Sequence, residues 1–388
     1  MKTILTVLIA LYNLHGYTQN YEENRVPPYV LPELLQSIDS GKITTPVNWF
    51  SIRRPEIIRL FENNVYGQMP RAYDSLTYSI TNQDGGAMKG KALLKEIDIT
   101  LWRRQKPVTI HLVLFIPVSA KNPPPVFLLM HNRDRGGTDP SRPVGPAFRP
   151  AEMVVDSGYA FASFDVWDLA PDDPLHYREG VLQLYPDQLT RPNGMKAVGA
   201  WAWGASRVLD YLELDNSVDV KRVAIVGQAA AGKAALWAGA TDRRFAYVIA
   251  HGSGNGGAAL SRRRFGETVS AVNAQSPHWF SDNYRKFNDN VDSLPVDQHM
   301  LIAAIAPRGV YVSAASGDLA SDPKGSFLAI KHAEEVYGLV GSPSALSASL
   351  PQVNRALTVS PIGFHTRESG PDLVDFDWKA YVSWLRKK

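Results

Sequence analysis

Val223-Ala224-Ile225-Val226-Gly227-Gln228-Ala229-Ala230-Ala231-Gly232-Lys233 is the stretch on which the fold turns. Its first four residues are apolar and mostly β-branched, as in a strand buried on both faces. Small residues then make a tight turn, and the pattern predicts a helix from near Lys233. Two chemistries use a strand–turn–helix of this kind. Gly227, four residues, Gly232 and Lys233 spell most of a phosphate-binding loop. However, Ala234 stands where a Ser or Thr would hold magnesium, and the motif lies deep in the chain. The other chemistry is the nucleophile elbow, where a serine sits on a strained turn and small residues on either side let the backbone bend. Gly227 and Gly232 fill those flanking places, but the apex is Ala229, which has no hydroxyl with which to attack a carbonyl. A close strand–helix turn without chemistry is the plainer alternative.

Outward from this turn, strand and helix signals alternate. Thr109–Ile116, Pro125–Met130, Tyr159–Asp165, Tyr247–Ala250, Val310–Val312 and Leu357–Val359 read as strands, the later ones as central. Met195–Leu212 and Trp378–Arg386 read as helices. Such alternation predicts a mostly parallel sheet covered on both faces. With an elbow-type turn at its centre, the expected fold is the three-layer α/β-hydrolase sandwich. Gly252–Pro307 has few strand signals and reads as an insertion above the sheet, where α/β proteins place their sites. Pro27–Pro46 reads as an arm laid across the domain. No repeat or linker divides the chain, so residues 20–388 are expected to form one domain.

The 388 residues carry a formal charge of +3, too little to point to nucleic acid or an anionic membrane. Lys2 followed by the short apolar run Ile4–Leu14 reads as an export signal over residues 1–19, too short to span a bilayer. There is no Cys, which excludes disulfides and thiolate zinc sites. Export without disulfides suits a bacterial periplasm. The nine His show no metal-ligand spacing, and no cofactor is expected. Gly252-x-Gly254-x-x-Gly257 spells a dinucleotide fingerprint but lacks the following helix and the acidic residue. Ser253, Ser261 and Ser316 do not lie on an elbow, and His131-Asn132 reads as packing beside one.

Four further segments carry a family likeness. They are Gly254-x-Gly256-Gly257-Ala258-Ala259-Leu260-Ser261-Arg262-Arg263-Arg264-Phe265-Gly266-Glu267-Thr268, Pro277-His278-Trp279-Phe280, Leu294-Pro295-Val296-Asp297-Gln298-His299-Met300 and Ile305-Ala306-Pro307-Arg308. From about Val218 onward the chain resembles the glucuronoyl esterases, carbohydrate esterase family fifteen, most strongly in their bacterial form. That resemblance implies serine esterase chemistry on glucuronic acid esters.

Carried over by position, the resemblance also implies losses. The family's serine falls on Ala229 and the arginine after it, an oxyanion stabiliser, on Ala230. Its acid after the next strand falls on Gly252, while the acid some bacterial members use one strand later survives as Asp318. The catalytic histidine falls on Pro371, within Gly363-Phe364-His365-Thr366-Arg367-Glu368-Ser369-Gly370-Pro371-Asp372-Leu373, and His365 matches a non-catalytic histidine. A tryptophan that lies against the sugar is Ala320 here. A single Ser-to-Ala change would suit an experimental trap; together with Ala230, Pro371 and Ala320 it reads as natural decay. Lys233 and Glu267 match sugar-contacting residues, and Arg263 with its neighbours offers guanidinium groups to a carboxylate. Alternatively, Lys233 caps a loop and the arginines pair with protein carboxylates such as Glu267 and Asp318.

The expected protein is therefore an exported monomer with an esterase scaffold and no working nucleophile or base, binding a uronic-acid-bearing polysaccharide. An active ester hydrolase with an unusual site, such as water activated by His365 and Asp318, and a purely structural or interaction protein are the alternatives.

Overall fold

The computed structural model describes residues 19–133, 150–347, 349–359 and 361–387. Apart from Gln19, the expected export signal lies outside them. Ten strands form one sheet: β1 (Ser75–Gly86), β2 (Ala92–Arg103), β3 (Lys106–Pro117), β4 (Pro125–His131), β5 (Ala160–Asp165), β6 (Asp219–Gln228), β7 (Tyr247–His251), β8 (Gly309–Ala315), β9 (Leu357–Val359) and β10 (Ile362–Arg367). Their order across the sheet is β9-β10-β8-β7-β6-β4-β5-β3-β2-β1. The run from β10 through β5 is parallel throughout. β1, β2 and β3 are antiparallel to their neighbours, and β9 is an antiparallel edge rather than a central strand.

The continuous apolar runs arise because both faces of the sheet are covered. Val126, Leu128 and Met130 enter one core, and Phe127 and Leu129 enter the other. Val223 and Ile225 likewise alternate with Ala224 and Val226. The larger core packs helices α1 (Arg54–Phe61), α3 (Ala197–Leu212), α4 (Ala229–Thr241) and α7 (Pro323–Leu339) against the sheet. The smaller core is closed by α2 (Ala151–Asp156) and α8 (Asp375–Leu385). Helices on both faces of a largely parallel sheet make this the three-layer α/β arrangement.

Between β7 and β8 the chain forms 3-10 turns and two short helices, α5 (Val269–Gln275) and α6 (Gln298–Ala303), with no strand among the described residues. The N-terminal arm is fastened by side chains from the body. Arg53 donates to the carbonyls of Glu33 and Leu34, and His299 bonds the Pro32 carbonyl.

Candidate active site

β6 ends at Gln228 and α4 starts at Ala229, four residues earlier than the sequence predicts. Ala229 has φ +49°, the left-handed region, which costs a residue bearing a Cβ on the order of 1–3 kcal/mol. The flanking glycines serve different ends. A Cβ on Gly227 would lie 2.1 Å from the Ala231 carbonyl oxygen, so only glycine permits the reversal. Gly232 sits inside the helix, where a Cβ would stand 3.0 Å from that of Ser253. The chain therefore keeps a strained elbow with no nucleophile on it.

Pro371 comes directly beside this apex. Its carbonyl oxygen accepts from Gln228 Nε2 at 2.8 Å and from His251 Nε2 at 3.0 Å, while its ring faces solvent. Because that carbonyl can only accept, the His251 proton sits on Nε2. Nδ1 then accepts from Ser313 Oγ at 2.9 Å, which itself accepts from Tyr381 Oη at 2.5 Å. The neighbouring Asp372 pairs with Arg133. Segment 368–372 is thus tied down across the elbow by Gln228, His251 and Arg133. None of these three stood out in the sequence. His251 adjoins Gly252 and Gln228 adjoins the apex, so adjacency to those positions was the available signal.

Burial lowers the pKa of His251 to about 4, and burial likewise lowers that of His299 to about 4. In the unfolded chain each would titrate near 6.5 and take up its proton first, so stability falls as pH drops from 6.5 to 4. At 1.36 kcal/mol per unit, each contributes a loss on the order of 3 kcal/mol. Urea midpoints measured from pH 7 to 4 should fall accordingly. In His251→Asn the slope should be about half as steep, and an unchanged slope would refute the assignment.

Asp318 follows β8, and its carboxylate oxygen lies 3.3 Å from where a Cβ on Gly252 would stand. The two alternative acid positions, 252 and 318, therefore serve one and the same space. Ala320 is exposed close by, and its carbonyl accepts from the Glu267 amide. Lys233 is buried, and its three donors are taken by the carbonyls of Ser253 (2.9 Å) and Asn255 (2.6 Å) and by Glu267 Oε2 (2.6 Å). It thus braces the insertion against Glu267, which stays half-buried, its Oε1 without a hydrogen bond among the described residues. The face of Trp279 lies 5.4 Å from Lys233 Nζ.

The arginines stand apart from this wall. Arg263 donates to Asp322 and to Glu23 of the arm, Arg262 to Asp297 and three carbonyls, and Arg264 to Asp292. Expected to meet a ligand carboxylate, Arg263 instead faces protein carboxylates, and these are not Glu267 or Asp318. His365 is fully buried, with Nε2 2.8 Å from Asp377 and Nδ1 2.8 Å from Tyr311 Oη. With both nitrogens engaged it has none to offer a water, which removes the suggested His365–Asp318 arrangement. Ala229, Ala230, Gly252, Asp318 and Pro371 converge on the ends of β6–β8 and β10; Lys233 and Glu267 form the adjoining wall.

A strained strand-to-helix apex at the centre of a doubly covered parallel sheet, with an acid two strands on, defines the α/β-hydrolase class. The family model described as glucuronyl esterase, fungi, matches residues 127–341. Carbohydrate esterase MZ0003, from an unknown prokaryotic organism, is 36% identical over 94% of this chain and 91% of its own. A CE15 esterase from a marine bacterial metagenome, described as promiscuous, superposes with a TM-score of 0.87 at 32% identity, over 95% of this chain and 99% of its own. A glucuronoyl esterase from Solibacter usitatus gives 0.86 at 35% identity, over 94% and 99%. This chain belongs to the glucuronoyl esterase family.

Proposed function

We propose that this chain is an exported, monomeric member of its family that has lost ester hydrolysis and keeps a wall for binding a uronic-acid-bearing plant polysaccharide, in a periplasm. The observation that carries this reading is Ala229 held at the strained apex with Pro371 fastened beside it. Hydrolysis by this route needs a nucleophile, a base for its proton and donors for the oxyanion. Ala229 supplies no hydroxyl, Pro371 no imidazole, and Ala230 no guanidinium. Loss of the serine or histidine from a comparable triad lowers turnover by about a million-fold.

Binding rests on Glu267 Oε1 and the Trp279 face, since Lys233 spends its donors on the protein. The test is hydrolysis of benzyl glucuronate by purified protein, beside an active relative, together with titration by a glucuronic-acid-substituted xylo-oligosaccharide. No turnover with measurable binding is the expected result. Turnover that stays with the protein through purification would overturn the loss of activity. Absence of binding would favour a purely structural protein, a reading to which the tied-down 368–372 segment lends weight.

A further inference from the structure

A cavity of about 400 Å³ opens between α1, α3 and the end of α4, lined among others by Glu62, Arg71, Trp203, Arg207 and Thr241. Thr241 closes the 13-residue helix that begins at the elbow, so the cavity lies roughly 18 Å from the apex along that helix. It is therefore separate from the degenerate site.

Three ionisable side chains, Glu62, Arg71 and Arg207, line this cavity. Arg71 is exposed, and its charge acts on Glu62 without a hydrogen bond to any described residue. Arg207 stacks over Trp203 and Tyr73, 5.2 and 5.4 Å from their centroids. Its Nε pairs with Asp210 at 3.0 Å, and its two terminal nitrogens make no hydrogen bond to any described residue. Burial, opposed by Arg71 and Arg59, leaves the Glu62 carboxyl above its ordinary range. Arg244, by contrast, is spent on Asp210, Glu213 and Asp242. Guanidinium groups with unused forks pair bidentately with a carboxylate.

We propose that this cavity is a binding site for a small polyhydroxylated monocarboxylate of the sugar-acid class. Arg71 and Arg207 hold the carboxylate and Glu62 meets a hydroxyl. A dianion such as phosphate is disfavoured by Glu62 and Asp242 on the same wall.

Calorimetric titration with gluconate at pH 7 tests this, with sorbitol lacking the carboxylate and butyrate lacking the hydroxyls. Gluconate should bind at least tenfold more tightly than either. Arg71→Gln, at an exposed residue with no hydrogen bond to a described residue, should weaken gluconate at least tenfold, and Arg207→Gln should do the same. A saturating glucuronic-acid-substituted xylo-oligosaccharide should leave gluconate binding unchanged, which separates this site from the proposed polysaccharide wall. No gluconate binding, or binding indifferent to Arg71→Gln in folded protein, overturns the proposal. Butyrate or phosphate binding as tightly as gluconate overturns the ligand class.

Discussion

Ala229→Ser/Pro371→His is expected to hydrolyse benzyl glucuronate some 10³–10⁴-fold faster than the parent chain. A complete triad is worth about 10⁶ in turnover, and a missing oxyanion donor takes back about 10²–10³. The backbone is already prepared. Residue 229 holds the positive φ that a nucleophile at this turn adopts, and the carbonyl of residue 371 is fixed by Gln228 and His251 through bonds a histidine there would keep. Asp318 stands beside Gly252 to orient the new imidazole. Either single variant should stay inactive, because nucleophile and base act as a unit. Adding Ala230→Arg should recover a further 10²–10³. A folded double variant without turnover would mean that segment 368–372 does not present residue 371 to the apex.

Asp377→Asn is expected to cost about 3–5 kcal/mol of stability, the usual effect of breaking a buried pair from one side. Asp377 is fully buried and accepts from His365 Nε2, Arg367 Nε and the Val374 amide, each at 2.8 Å. Burial alone would raise its pKa, but the hydrogen bonds from His365 and the Val374 amide hold it below the ordinary carboxylate range. With the carboxylate gone, Arg367, 2% exposed, keeps only the carbonyls of Glu368 and Asp372. Those carbonyls belong to the segment that carries Pro371, so the same change should loosen the loop over the elbow. Urea unfolding at pH 7 measures the effect. A loss under about 1 kcal/mol would show that Arg367 is not held as a buried charge.

The sequence by itself determined what depends on local pattern. Val126–Met130 and Val223–Val226 are apolar at every position because both faces of their strands are buried, and that is visible without knowing what covers them. The turn at Gly227 was legible because a Cβ there meets the next turn of the same short segment. The family was legible because the segments around the turn keep a distinctive spelling.

Tertiary structure decided everything that depends on a distant partner. The β1–β2 hairpin went unread although Leu76, Tyr78 and Ile80 in β1 and Ile97, Ile99 and Leu101 in β2 alternate with polar residues; what the sequence does not show is that β1 is an edge strand with its far half, Ser79–Gly86, exposed. Gly232 spoke for a turn in the sequence, yet it lies inside α4, made small by Ser253 on another segment. Lys233, Arg263 and His365 were chemically open in sequence, each a donor without a stated acceptor. Their acceptors come from residues 20 or more positions away in the first, from Glu23 and Asp322 in the second, and from Tyr311 and α8 in the third. A buried charge takes whichever opposite charge the fold delivers to it, because leaving it unpaired costs more than any local preference can return.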